Sequence, residues 1–151
     1  MSNATILQQA SPGFDYPVRV QPHHTDYAGI VWHGSYVAWL EEARVECLRA
    51  VGVGFEDLVA LGIDLPVVDL NLRYRESIRM GAAVRVRVGL AAIDGVRLRW
   101  DCRILGEGDR LHATAQVTLV PVDRERGRIL RQMPPHLLEA LERLQQQFGS
   151  C

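Results

Sequence analysis

Between Ser35 and Val51 apolar residues recur with helical spacing and then spill round most of the circumference. Tyr36, Leu40, Ala43, Cys47 and Val51 line one face, while Val37, Ala38, Trp39, Val45, Leu48 and Ala50 widen it. Only Glu41, Glu42, Arg44, Glu46 and Arg49 are charged. A surface helix carries one apolar stripe, so a helix this apolar has to be wrapped by other elements. Ser35 is placed to serve as its N-cap and Gly52 as its C′ stop. Glu41 and Glu42, on a largely buried helix, need a partner, which the pattern offers in Arg44 or Arg49.

The wrapping material is also legible. Tyr16, Val18 and Val20 alternate with Pro17, Arg19 and Gln21, a half-buried strand ending near Pro22. Beyond a short helical turn between Gly54 and Gly62, Pro66 opens a second alternation through Val68, Leu70, Leu72 and Tyr74. A third runs Val84, Val86, Val88, Leu90. Asp94-Gly95 is a strong hairpin signal and leads into Leu98, Trp100, Cys102 and Ile104. After Gly106–Asp109 comes Leu111, Ala113, Ala115, Val117, Leu119, with another turn at Arg124–Gly127. These strands are long, about eleven residues each, with one apolar and one arginine-rich face. Past Pro134-Pro135 a last helix presents Leu137, Leu138, Leu141, Leu144 and Phe148. The expectation is one α+β domain over residues 15–151, an antiparallel sheet of about five long strands around a central apolar helix, plus a C-terminal helix. Residues 1–14 are expected to form a flexible N-terminal tail.

Composition narrows the partners. A net charge of −1 over 151 residues supplies no field for nucleic acid or anionic lipid. No apolar run approaches the roughly eighteen residues of a membrane helix. Cys47, Cys102 and Cys151 are odd in number and form no C-x-x-C pair, which suits a reducing compartment. The first fourteen residues lack the basic and apolar regions of a signal peptide, so a cytoplasmic protein is expected.

The chemistry-bearing residues concentrate just before the central helix, in His23-His24-Thr25-Asp26-Tyr27-Ala28-Gly29-Ile30-Val31-Trp32-His33-Gly34-Ser35-Tyr36. An acid, a glycine-bearing loop and a helix start bring together a carboxylate, an imidazole and unpaired backbone N–H groups. That set can bind and attack a carbonyl. Taken alone, Asp26 reads as a turn or capping residue rather than a catalytic one. Ser35 has no G-x-S-x-G elbow around it and reads as a cap rather than a nucleophile.

The segment Asp26–Tyr36, followed by Trp39-Leu40-Glu41-Glu42-Ala43-Arg44, resembles the pattern D-x-x-G-[IV]-[VL]-x-[HY]-x-x-Y and then W-[FL]-[DE]-x-A-[RS]. This is similar to the hot-dog fold of the 4-hydroxybenzoyl-CoA thioesterase family and its acyl-CoA thioesterase relatives. The resemblance implies a sheet wrapped around the helix and a homo-oligomer, dimer or tetramer, whose subunits join sheets edge to edge with the acyl site between them. It implies hydrolysis of a small or medium acyl-CoA, or of an acyl group on a carrier protein. Asp26 and His33 are then the catalytic positions, Asp26 as general base or nucleophile and the backbone N–H near His33 and Gly34 polarising the thioester carbonyl. Gly34, Ser35, Tyr36, Tyr27 and Trp32 are the substrate-binding positions. No metal and no cofactor are implied, coenzyme A being part of the substrate.

Two departures stand out. His24 occupies a position where many relatives carry an acid, and a cationic His24 would favour the ionised form of Asp26. The hairpin tip Ile93-Asp94-Gly95-Val96 lacks the basic residues with which some relatives hold CoA phosphates. Three other readings remain open: a non-catalytic acyl-thioester binder, a dehydratase or isomerase of the same fold, and a zinc site at His23, His24, Asp26 and His33. Strand alternation speaks against the last by turning His23 and His24 to opposite faces.

Overall fold

The computed structural model describes residues 12–149. Most of the expected tail, residues 1–11, and Cys151 lie outside the described residues. The chain runs through β1 (Phe14–Arg19), helix α1 (His33–Ala50), a short helix α2 (Phe55–Leu61), β2 (Ile63–Asp64) and β3 (Val67–Tyr74). It continues through β4 (Ala83–Asp94), β5 (Arg97–Leu105), β6 (Leu111–Leu119), β7 (Val122–Asp123), β8 (Arg128–Ile129) and α3 (Pro135–Phe148). Phe14, placed in the tail by its position, is the first residue of β1, and its ring meets Phe148 edge to face at 5.4 Å.

The five long alternations become one antiparallel sheet in the order β1-β4-β5-β6-β3. At 8, 12, 9 and 9 residues, β3 to β6 average less than the expected length. The inner face is the apolar set: Val84, Val86, Val88 and Leu90 of β4, Leu98, Trp100, Cys102 and Ile104 of β5, and Ala113, Ala115, Val117 and Leu119 of β6. They form one core with Tyr36, Trp39, Leu40, Ala43 and Cys47 of α1 and Leu137, Leu141 and Leu144 of α3. Each large side chain so buried stabilises the fold by roughly 1.5–3 kcal/mol.

Local departures have local causes. The register shifts between Leu90 and Ala92, so that Ile93 rather than Ala92 faces Leu98 and the hairpin turn falls on Gly95-Val96, with Gly95 at φ +62. The extra residue is a bulge, which reverses the alternation beyond it. A second, three-stranded sheet of β2, β7 and β8 comes from strands of two residues each, too short to show a period.

Helix α1 packs on β4 and β1 with α3 beside it. The enclosure expected of it is met toward the sheet and α3 but not all round. Val37 and Val45 stay about 40% exposed next to exposed Glu41. The expected arginine partners also differ: Glu42 accepts a hydrogen bond from the Tyr16 hydroxyl at 3.1 Å, and Arg49 pairs with Glu46 and Glu56 at 3.8 Å. That bond, after burial, pushes the Tyr16 phenol above its usual range.

Candidate active site

The residues before α1 form a closed loop rather than an extended strand end. His23 and His24 sit in a single turn of 3-10 helix over Pro22–His24, and Thr25 bridges to Val31 beyond the loop. Inside that closure the Asp26 N–H donates to the Ile30 carbonyl at 2.8 Å, and Gly29 donates to the Asp26 carbonyl at 3.0 Å. Gly29 takes φ +76, a conformation with no penalty only for glycine. Val31 donates to Ile78 and Met80 to Gly29, so the loop is tied to the segment just before β4. Nothing in the alternation of residues 76–82 marked them as the loop's anchor.

Asp26 organises this loop from within. Its Oδ1 accepts the N–H groups of Ala28 at 2.9 Å and Ile30 at 3.1 Å, while no hydrogen bond within the described residues engages Oδ2. The side chain is exposed. One oxygen thus fixes the carboxylate and the other is left to act on something outside the loop.

The helix start supplies the complementary charge. Trp32 is the N-cap residue and contributes no side-chain cap. His33 and Gly34 hold the first two helical positions, where an α-helix has no carbonyl of its own to offer the N–H groups. The indole of Trp32 lies flat over Gly34: a Cβ there would come within 2.2 Å of the ring. Glycine at position 34 is therefore a steric requirement of the Trp32 roof. The His33 imidazole is exposed and meets the indole edge-on at 5.1 Å, so the position offers its backbone N–H and a free ring together.

Other predicted site residues are placed differently. Ser35 is not the N-cap; it lies in the first turn, buried, its hydroxyl donating to the His24 carbonyl at 2.8 Å. Its hydrogen bond clamps the loop onto the helix. Tyr36 is 2% exposed between Trp39 and Tyr74, at ring distances of 5.8 and 5.0 Å, and burial, then Tyr74, raises its pKa. Tyr27 projects fully into solvent. Asp26, Trp32, His33 and Gly34 thus share one loop-and-helix-start surface, Ser35 and Tyr36 support it from below, and Tyr27 stands clear of it.

His24 does not act as the expected cation beside Asp26. Its Nδ1 accepts the Gln21 N–H at 2.9 Å, a role open to the neutral ring, and its ring meets that of Trp39 edge to face at 5.1 Å. Burial, then His23, lowers its pKa against an opposing pull from Glu42. The strand argument against a shared His23–His24 site also fails, since the 3-10 turn brings the two rings within 4.0 Å. Among the described residues no group of three or more His, Cys, Asp or Glu is arranged to hold a metal ion. Cys47 is inert, its thiol pushed up to about 12 by burial.

A cavity of about 970 Å³ opens at the far side of the anchor segment, between β1, the start of β4 and the β5–β6 turn, and includes none of the predicted site residues. Among the described residues no helix is long and apolar enough to cross a membrane.

The comparisons bear on the fold and the family. The family model described as the Thioesterase-like superfamily matches residues 20–141. A Synechocystis protein carrying only a general esterase name is 52% identical over 134 residues, covering 88% of this chain and 81% of its own. The acyl-CoA thioester hydrolase YbgC of Escherichia coli is 32% identical over 110 residues, covering 73% of this chain and 82% of its own. Among solved structures, the DHNA-CoA thioesterase of Staphylococcus aureus superposes with a TM-score of 0.80 at 26% identity, covering 87% of this chain and 90% of that one. With its five-stranded sheet around α1, the chain belongs to the Thioesterase-like superfamily and is a hot-dog thioester hydrolase of the acyl-CoA thioesterase kind.

Proposed function

We propose that the chain hydrolyses the thioester of a small or medium acyl-CoA, or of an acyl-carrier protein, at a site completed by a second copy of itself. The observation that carries this reading is the pair of His33 and Gly34 N–H groups at the start of an 18-residue helix, roofed by Trp32 and adjoining the Asp26 loop. A thioester carbonyl gains negative charge when attacked, and each preorganised N–H donor at that oxygen contributes roughly 10²–10³-fold. In the base route, Asp26 takes a proton from water and the hydroxide adds to the carbonyl carbon. The oxyanion collapses, the C–S bond breaks, and the thiolate leaves to be protonated as free thiol. In the nucleophile route, the unengaged Asp26 oxygen adds to the carbonyl carbon, the C–S bond breaks with the thiolate leaving to be protonated, and water then cleaves the mixed anhydride into the free acid and the Asp26 carboxylate. The exposure of Asp26 is what a half-site shows before its partner closes it.

The partner surface in this reading is β3. It is an edge strand whose Val67, Val68, Leu70 and Tyr74 are 40–55% exposed, and Leu70 and Tyr74 share the inner face with Val117 and Ala113. A second copy pairing there extends the sheet and covers those side chains; a dimer or a tetramer of such dimers satisfies it. The names of the relatives support CoA thioesters as the substrate class.

The test is thiol release from a panel of aromatic, short and long acyl thioesters on CoA and on carrier protein. Turnover is expected on part of the panel and is expected to fall about 10²–10⁴-fold in Asp26→Asn with the oligomer intact. Undiminished turnover in that variant would reduce Asp26 to a loop cap.

A further inference from the structure

A cavity of about 150 Å³ lies between α1, α2, α3 and the inner face of β5 and β6, and none of the loop residues 23–36 lines it. Its floor is buried and apolar, with Leu48, Leu98 and Leu141, and exposed Phe55 and Glu41 stand at its mouth. Two donors are set into this wall. Arg44 is 7% exposed, and no hydrogen bond or ion pair within the described residues engages its guanidinium. Glu41 and the Cys102 thiol act on it electrostatically, but the Glu41 carboxylate forms no ion pair with it. Trp100 is 1% exposed, and its Nε1–H has no hydrogen-bond partner within the described residues.

A guanidinium keeps its charge at any ordinary pH, and a buried charge without a partner destabilises the fold that holds it. An indole N–H can only donate. Two donors in an apolar chamber, whose one carboxylate, Glu41, stands exposed at the mouth without pairing with Arg44, call for a ligand with an acceptor at one end and hydrocarbon at the other. An apolar cavity of about 150 Å³ accommodates a benzene ring.

We propose that this cavity is a second small-molecule site, separate from the Asp26 loop, that takes a compact carboxylate on an apolar body of benzoate size. The carboxylate sits against Arg44 and the Trp100 N–H, and the hydrocarbon fills the space among the leucines. On the hydrolase reading above, such an acid belongs to the class of product released, so the site reads product without occupying the catalytic surface. The binding claim itself does not depend on that reading.

The chain has three tryptophans, and their indole N–H resonances report separate places: Trp32 the catalytic surface, Trp39 the core and Trp100 the cavity. Titrating the full-length ¹⁵N-labelled protein with sodium benzoate is expected to move the Trp100 indole resonance downfield and saturably, with assignment by Trp100→Phe. Benzyl alcohol, which lacks the charge, is expected to move it at least tenfold less at equal concentration. Arg44→Met, which keeps volume and removes charge, is expected to abolish the benzoate response, and Asp26→Asn to retain it. Should Arg44→Met fail to fold, Leu119→Phe fills the chamber with Arg44 in place and is expected to abolish it as well. A Trp100 resonance that never moves, movement of Trp32 alone, or an undiminished response in either cavity variant would overturn the site. Because the readout is binding, its failure leaves the thioesterase reading standing, and loss of turnover leaves this one standing.

Discussion

β1 and β3 close the two ends of the same sheet and are finished in opposite ways. β1 carries Pro17 in mid-strand, sets Asp15 and Arg19 toward solvent, and locks Asp15 in a two-pronged bond to Arg87 of β4 at 2.6 and 2.9 Å. Its other face is taken up by α1 and, through Phe14, by Phe148 of α3. β3 has no proline within it and leaves Leu70 and Tyr74 half open on the inner face, because α1 sits over β4 and β1. Proline, charge and cover are the devices by which an edge strand is kept from pairing with another chain. One edge has all three, while the other has only the exposed charges of Asp69 and Arg73. The contrast leaves β1 closed and β3 open, which is what the proposed pairing of two copies at β3 requires.

The strongest way to break that contrast is to give β3 the protection β1 has. Val68→Lys combined with Leu70→Lys places two charges on the open edge. The expected result by sedimentation is a monomer that keeps its circular dichroism and loses thioester turnover by about 10²-fold or more, the scale of a misplaced reacting group. An oligomer that survives this change would remove β3 from the assembly.

A smaller effect separates the proposed active surface from the edge. Gly34→Ala puts a Cβ into the Trp32 ring and forces the half-exposed indole to lift. Alanine is the better helix former by up to about 1 kcal/mol, so the melting temperature is expected to hold or rise. The value of kcat/KM is expected to fall roughly 10–100-fold with the oligomer unchanged. A gain in stability with a loss in turnover marks a glycine kept for the site. Equal activity would make the Trp32 roof incidental.

At the finished edge the expected change is smaller still. Asp15→Asn removes the charge that Arg87 and Arg85 share. The pair is partly exposed, so about 1 kcal/mol is lost, a drop of roughly 2–4 °C in melting temperature, with no change in oligomeric state. A shift in the sedimentation profile would show that β1 also takes part in assembly.

The two edges differ likewise in how far they could be read in advance. Pro17 belongs to β1's own alternation, and the strand, the sheet and both long helices follow from periods of two and about 3.6, whereas the Asp15–Arg87 pair joins residues 72 apart. The Asp26–Gly34 motif was legible because loop and helix start are contiguous. What escaped was carried by contacts between distant residues. The bulge beside Leu90 moved a turn by one residue, His23 and His24 entered a 3-10 turn too short to have a period, and Ser35 gave its hydroxyl to His24 rather than to its own helix. Arg44 sits in a row of helical residues that any pattern reads as a charged partner for Glu41; that it is buried instead depends on where α2 and α3 come to rest.

The smallest predicted effect uses pH to loosen the Asp26 loop on the β1 side while sparing the β3 edge. His24 holds the loop by accepting the Gln21 N–H on Nδ1 and by packing on Trp39, and both the buried setting and His23 favour its neutral form. Its folded pKa therefore lies below the value of the unfolded chain. Where pH falls below the unfolded pKa of about 6.5, the unfolded state binds the proton first and stability declines, levelling off once the folded ring also protonates. The contribution is complete above about pH 7 and shrinks through the acid side of that range. Thermal melts between about pH 7.5 and 5.5 are expected to show a slope that His24→Gln flattens, with sedimentation unchanged across the series because no group on β3 takes part. A slope that persists undiminished in the variant would place the titrating group elsewhere. A wild-type oligomer that dissociates over the same range while His24→Gln holds together would tie the loop to assembly and erase the distinction between the two edges.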